Sequence, residues 1–125
     1  MADFTLTART TEAYASQKQN SGVVTMIFNG GDGTTKTTVK AAVADTEHLV
    51  VGGHVSVAGA TLVKIYSGTT VIGALQFAAA GTLPLPEVHT EPNELLAVES
   101  GTSVAIWGAI EYISLTTNTY NGMVA

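Results

Sequence analysis

The segment TLVKIYSGTTVIGALQF, residues 61–77, constrains the fold more strongly than any other part of the sequence. Alternating side chains over 61–67 are followed by the turn dipeptide Ser67-Gly68 and by a second apolar run that ends at Phe77. Alternation with a period of two is typical of a β-strand, and a short turn between two such runs indicates a hairpin. The segment therefore predicts two adjacent antiparallel strands.

Similar short runs fill the rest of the chain. The sequence contains 19 threonines and 14 valines, which are β-branched and favour strands, with glycine at short intervals. We expect strands over residues 22–28, 35–43, 46–51, 54–58, 61–67, 70–77, 94–98 and 103–115. Many short strands joined by tight turns predict an all-β antiparallel sandwich. Pro84 and Pro86 cannot donate ladder hydrogen bonds, so residues 81–94 are expected to form an edge strand or a long loop.

The last predicted strand, TSVAIWGAIEYISL, is apolar on both faces, as expected for a central strand. Gly108 in its middle indicates a bulge or a close neighbour. We expect this strand and the 61–77 hairpin to form the core. The predicted core residues are Trp107, Ile106, Ile110 and Tyr112, faced by Val63, Ile65, Val71, Ile72, Leu75 and Phe77.

The glycine-rich stretch FNGGDGTTKTT, residues 28–38, invites a ligand-binding interpretation. A phosphate-binding loop requires glycine immediately before its lysine, but Thr35 precedes Lys36, and the β-branched residues that follow do not favour the required helix. A calcium loop requires several spaced oxygen ligands, and only Asp32 is present. The stretch is therefore predicted to be a hairpin corner without a ligand.

The composition limits the partners of the chain. Charged residues make up 12% of the sequence, about half of the ~25% usual in globular proteins. Apolar residues reach 46%, which predicts a surface partly covered by a partner and hence an oligomer. The net charge is −5 and the five basic residues are scattered, which argues against nucleic acid binding.

Several other classes are also disfavoured. No run of 18 apolar residues predicts a membrane span, and the start MADFTLTART lacks the regions of a secretory signal. Without cysteine there are no disulfides and no thiolate chemistry. We expect neither a cofactor nor catalysis, because no serine lies in a nucleophile motif and no other catalytic group stands out.

The histidines and glutamates are candidate ligands of a metal or catalytic site. His48 and His54 are not at the spacing of a helical metal pair, and only a turn at Gly52-Gly53 would bring them together. We expect these histidines and His89 to be surface or hydrogen-bonded residues, with a site on an oligomer axis as the alternative. The acidic residues of the proline-rich loop are expected to form a solvated face. These residues are Glu87, Glu91 and Glu94.

The N-terminal residues are assigned separately. Residues 1–20 are predicted to form an arm, with a helix candidate at 8–19, and residues 21–125 the sandwich domain. The arm is sparse in apolar residues but carries anchor-like side chains. The predicted capsid or subunit contacts are Phe4, Leu6, Arg9 and Tyr14. The alternative is that residues 3–7 form the first strand of the domain's own sheet.

From Val39 onward the sequence resembles the head decoration (cement) proteins of tailed bacteriophages. The resemblance runs through residues 39–51, 56–81 and 94–113, about 60% of the chain, and includes the closing glycine and tyrosine, here Gly108 and Tyr112. The family loop usually carries aromatic residues, whereas this chain has TLPLPEVHTEPNE at residues 82–94.

The resemblance implies a jelly-roll-like sandwich that assembles as a homotrimer and binds the major capsid protein on the outside of the head. The protein would be made in the host cytoplasm and reside on the virion surface. Alternative functions are a carbohydrate- or receptor-binding module of a phage tail or fibre and, more weakly, a tail-tube or connector subunit that forms hexameric rings. Outward-pointing aromatic residues would favour the carbohydrate-binding alternative.

Overall fold

The computed structural model of the 125-residue chain describes residues 3–8 and 22–116, which form nine strands. The strands are β1 (Leu6–Ala8), β2 (Val24–Asp32), β3 (Thr37–Lys40), β4 (Thr46–Val57), β5 (Thr61–Ser67), β6 (Thr70–Phe77), β7 (Gly81–Pro84), β8 (Leu96–Ser100) and β9 (Ala105–Thr116).

The strands form two antiparallel sheets. The five-stranded sheet has the order β1-β2-β9-β4-β7, and the four-stranded sheet has the order β3-β8-β5-β6. Successive strands pass repeatedly between the sheets, and β2–β9 supply four strands to each. This is the arrangement of a jelly roll, to which β1 adds an edge strand. The predicted all-β, jelly-roll-like sandwich is confirmed.

The core lies between the two sheets. Alternate residues of each strand point inward, as in β5, where every second residue from Thr61 to Ser67 is buried. The predicted core positions Ile106, Ile110 and Tyr112 of β9 are buried. So are Val63, Ile65 and Phe77 on the facing sheet, while Ile72 and Leu75 pack against the core from partly buried positions.

Trp107 and Val71 do not belong to this core. Both are 46% exposed, so their predicted burial is wrong. β9 is the central strand of its sheet, so both of its edges are hydrogen-bonded to neighbouring strands. One face of that sheet is nevertheless exposed to solvent. In β6, the register with β5 shifts between the pairs Ile65–Gly73 and Tyr66–Val71. The extra residue places Val71 outside.

β4 is one strand rather than the two predicted. Gly52 and Gly53 continue it instead of forming a turn. Against β9, the register shifts between Val50 and Gly52, so Val51 is an extra residue. Such a bulge exchanges the two faces of a strand. His48 is therefore buried and His54 exposed, although residues six positions apart share a face on a regular strand.

The 28–38 stretch is a corner but not a hairpin. β2 pairs with β1 and β9, whereas β3 pairs with β8 in the other sheet. The turn residues indicate a reversal of direction but do not determine which strands pair. The Asp32 carboxylate accepts hydrogen bonds from Ser103 Oγ, from Thr34 N and from Thr34 Oγ1, and these bonds lower the pKa of Asp32. The corner is thus held by internal hydrogen bonds.

Gly108 makes the close approach that its position predicted. Its φ is 118°, and a Cβ atom there would lie 2.2 Å from the carbonyl oxygen of His54. Gly53 mirrors it from β4, with a φ of 113° and the carbonyl oxygen of Ala109 at 2.2 Å from a Cβ. Only glycine allows the two backbones to pack this way. The edge strand predicted around the prolines is also present, as β7.

Candidate functional site

The predicted contact residues at the N-terminus separate into two groups. Phe4 is only 1% exposed and packs edge-on against Phe28, with ring centroids 5.8 Å apart. Leu6 pairs with Phe28 in the β1–β2 ladder and packs against the core. The first-strand alternative therefore describes residues 3–8, and Phe4 has no surface for a capsid contact. Arg9, Tyr14, the helix candidate beyond residue 8 and the boundary at residue 20 lie outside the described residues.

His48 is held in the neutral form inside the sandwich. Its Nε2 lies 3.0 Å from the carbonyl oxygen of Ala41, and its Nδ1 lies 2.8 Å from Ser114 Oγ. Because a carbonyl oxygen only accepts, Nε2 donates to Ala41 and Nδ1 accepts from Ser114. Burial lowers the pKa of His48; the hydrogen bond to Ala41 opposes this shift, and the charge of Lys40 adds to it. This histidine is a structural group.

Stability should therefore decrease with acidity through His48. In the unfolded chain this imidazole gains a proton near pH 6.5, whereas the native imidazole stays neutral to lower pH. The unfolded state then binds more protons, so the free energy of unfolding is largest above pH 6.5 and falls as the pH drops below it. Urea unfolding from pH 7.5 to pH 5 should show this decline. The decrease in the free energy of unfolding should be smaller in His48→Gln and unchanged in the exposed-residue control His54→Gln. Equal pH dependence in the two variants would contradict the role given to His48.

Of the remaining candidates, His89 and Glu94 have side-chain partners, whereas Glu87 and Glu91 are exposed. His89 Nδ1 lies 3.4 Å from Glu47 Oε1 at the surface. Glu94 accepts a hydrogen bond from Ser67 Oγ. Within residues 3–8 and 22–116, no three His, Cys, Asp or Glu side chains are grouped so that they could hold a metal ion. No helix in these ranges is long and apolar enough to cross a membrane.

Lys36, the lysine of the glycine-rich stretch, is also engaged internally. Its Nζ donates to the carbonyl oxygen of Gly68 at 2.5 Å and lies 4.2 Å from the centre of the Tyr66 ring. The Tyr66 hydroxyl in turn donates to Glu99 at 2.7 Å, and this hydrogen bond raises the pKa of Tyr66. The ammonium group thus ties the corner to β5 and is not directed at a phosphate.

One open cavity lies at an end of the sandwich. Its volume is about 380 Å³, and one of its described lining residues, Lys40, is charged. Tyr112 lines the cavity and packs edge-on against His48, with ring centroids 6.2 Å apart. Burial raises the pKa of Tyr112. The remaining described lining residues are Gly22, Val24, Val43, Thr46, Ser114 and Thr116.

A different arrangement lies on the outer face of the five-stranded sheet. In the ladder, Trp107 of β9 is paired with Asn29 of β2 on one side and with Ser56 of β4 on the other. Ser56 is paired in turn with Thr82 of β7, and Asn29 Oδ1 accepts from the backbone N–H of Thr5 at 3.0 Å. We call these five residues the Trp107 row. It crosses the sheet with one aromatic ring at its centre.

The outward direction of Trp107 had a signal in the sequence. Side chains at alternate positions of β9 point to opposite faces of the sheet. One set contains Ile106, Ile110 and Tyr112, and the other contains Trp107 and Glu111. A carboxylate is costly to bury, so the face that carries Glu111 is the solvent face. The apolar residues on both sides of Trp107 obscured this signal. No signal in the sequence indicates that Trp107 pairs with Asn29 and Ser56, because this pairing depends on the register between distant segments.

Comparisons with known proteins add little beyond the fold. No protein-family model matches the sequence, and no curated protein is significantly similar to it. The crystal structure of a cupin 2 domain-containing protein from Halorhodospira halophila is similar to this chain, with a TM-score of 0.43 and 12% sequence identity. The match covers 89% of this chain and 64% of that protein, so the chain spans less than two thirds of its length.

Proposed function

We propose that this protein is a decoration (cement) protein that binds the outside of a tailed-phage head as a homotrimer and stabilises the shell. The observation that carries the proposal is the location of the resembling segments in the fold. Residues 39–51 and 56–81 include most of β4 and all of β5 and β6, and residues 94–113 include β8 and most of β9. The resemblance thus falls on strands of both sheets.

The charge of the molecule suits this role. A protein with a net charge of −5 and few basic residues is not attracted to packaged DNA. A small rigid sandwich with little surface charge can contact several capsid subunits at once as a trimer, and multivalency then multiplies a weak contact into stable attachment. The partner is the major capsid protein, and the function requires binding rather than catalysis. Arg9 and Tyr14 remain proposed contacts.

The proposal is tested by mass and by co-sedimentation. Light scattering at micromolar concentration should give three times the 12.8 kDa mass of the chain. The protein should sediment with undecorated heads of the same phage and raise their disruption temperature. A monomer that does not sediment with heads would contradict the proposal. A hexameric ring would favour the tail-tube or connector alternative instead.

A carbohydrate-binding module is the second candidate. The observation that favours it is the exposure of Trp107, 46% of whose surface is open to solvent on a sheet face. Tyr112, the other aromatic residue of β9, is buried and does not contribute. The two candidates are compatible, since a protein attached to a head by one surface can present another to the exterior.

A further inference from the structure

We propose that the Trp107 row is a binding site for a neutral hexopyranose residue of a glycan. This inference rests on the second candidate function, carbohydrate binding, and specifies its site and ligand class; it does not depend on capsid attachment. It rests on the position of one aromatic ring, on the polar groups beside it and on the charge of the surrounding face.

The aromatic ring packs on the sheet and is accessible to solvent. The indole of Trp107 packs over the Gly30 backbone, where an added Cβ would lie 2.3 Å from Nε1. That contact restricts the ring, while 46% of the residue's surface stays in solvent. The C–H-rich side of a pyranose ring is apolar and packs against an indole, which buries apolar surface of both partners.

Hydrogen-bonding groups flank the ring on both sides. Neighbouring strands are about 4.8 Å apart, so Asn29 and Ser56 each lie one strand from Trp107, within reach of hydroxyls on a sugar stacked there. Asn29 Oδ1 accepts from Thr5 N, and its Nδ2 donates to Thr5 Oγ1. On the other side, the Ser56 and Thr82 hydroxyls are 2.6 Å apart. These bonds orient the side chains before a ligand binds, which lowers the entropic cost of binding.

The oriented groups retain capacity for a ligand. An amide nitrogen has two hydrogens, and the contact with Thr5 uses one of those on Asn29 Nδ2. The bond between Ser56 and Thr82 uses one of their two hydroxyl hydrogens. At least one donor and several lone pairs on each side of Trp107 match a ligand whose hydroxyls both donate and accept.

The charge of the face selects among possible ligands. None of the five residues of the row is ionisable; His54 of β4 and Glu111 of β9 lie further along the same face. The chain also carries a net charge of −5. An anionic sugar such as a sialic acid would be repelled, whereas a neutral sugar would not. Hydroxyls and an amide lie on both sides of Trp107, which matches a ligand rich in hydroxyl groups.

The single tryptophan of the chain makes a direct assay possible. Its fluorescence should change saturably on titration with methyl β-galactoside, methyl β-glucoside or N-acetylglucosamine up to 100 mM. A single sugar on an open face should bind with a Kd on the order of 1–10 mM. On a glycan array, neutral glycans should be bound and their sialylated forms should not.

Variants locate the site. Binding on the array should be lost in Trp107→Ala, retained in Trp107→Phe and weakened several-fold in Asn29→Ala and in Ser56→Ala. Val71→Ala, which removes an equally exposed apolar side chain from the other sheet, is the matched control and should bind normally. Sedimentation with phage heads should be unchanged in Trp107→Ala, so that the two proposals fail independently.

Three outcomes would overturn the inference. The first is the absence of binding to every neutral glycan on the array together with a constant fluorescence at 100 mM of each monosaccharide. The second is binding that survives Trp107→Ala. The third is a loss of self-association in Trp107→Ala without any binding of sugar by the parent protein, which would make this face a contact with a second copy of the chain.

Discussion

Substitution of Gly108 by alanine should lower the free energy of unfolding by at least about 3 kcal/mol. The φ of 118° is unfavourable for any residue with a side chain, and the new Cβ would lie 2.2 Å from the carbonyl oxygen of His54. That oxygen belongs to the backbone of β4 and cannot move without separating the two strands. Gly53 occupies the reciprocal position, so the pair sets the spacing of β4 and β9.

The measurement is a urea unfolding curve, with yield of soluble protein as a second readout. The control is Gly59→Ala, because Gly59 lies outside the strands and an added Cβ would meet only Val104 Cγ1, at the ordinary distance of 3.5 Å. This variant should change stability by no more than about 0.5 kcal/mol. A Gly108→Ala protein as stable as this control would mean that the strands are further apart than described.

Substitution of Phe4 by alanine should cost about 3–5 kcal/mol. Phe4 is buried against Phe28, and its backbone N–H donates to the carbonyl oxygen of Asp32 at 2.8 Å. Removing the ring leaves a cavity that the surrounding sheet cannot fill. Deleting residues 2–16 should destabilise the protein for the same reason, since it also removes β1.

The matched control for Phe4→Ala is Trp107→Ala, which truncates an aromatic side chain on the outer face. Because water fills the vacated space, the cost should be about 1 kcal/mol. Guanidinium unfolding followed by circular dichroism compares the two variants. Equal losses would contradict the different burial of these residues. A truncated protein that keeps its melting temperature but no longer binds heads would restore the arm interpretation.

The local features of the fold were predictable from the sequence. The hairpin strands predicted at 61–67 and 70–77 have these bounds in the structure, because alternation and turn chemistry act over a few residues. Because a missing N–H excludes a central position, the prolines indicated an edge strand or a long loop for residues 81–94, and the structure has both, the edge strand β7 followed by a loop. Gly108 indicated a close backbone approach for a comparable reason. Each of these signals acts within its own segment.

Most of the errors concern relationships between distant segments, although the bulge that exposes Val71 lies within the β5–β6 hairpin. Nothing near residues 28–38 determines that β2 pairs with β9 while β3 pairs with β8. The bulge at Val51 reverses the faces of β4, and its register is fixed only by β9. The apolar neighbours of Trp107 predict a core position, whereas the solvent face of its sheet is defined by the whole sandwich. The Trp107 row, drawn from both ends of the chain, could not be assembled from local patterns.

The position of β9 also determines the order in which this domain can fold. β9 ends at Thr116 yet lies between β2 and β4 in the five-stranded sheet. The pair between Val24 of β2 and Tyr112 of β9 closes a loop that contains most of the domain. Closing such loops costs entropy before any contact compensates it, so folding should take milliseconds to seconds. On the ribosome, the β5–β6 hairpin can form early, but the larger sheet remains divided until β9, which follows the other four described strands of this sheet in the chain, has emerged.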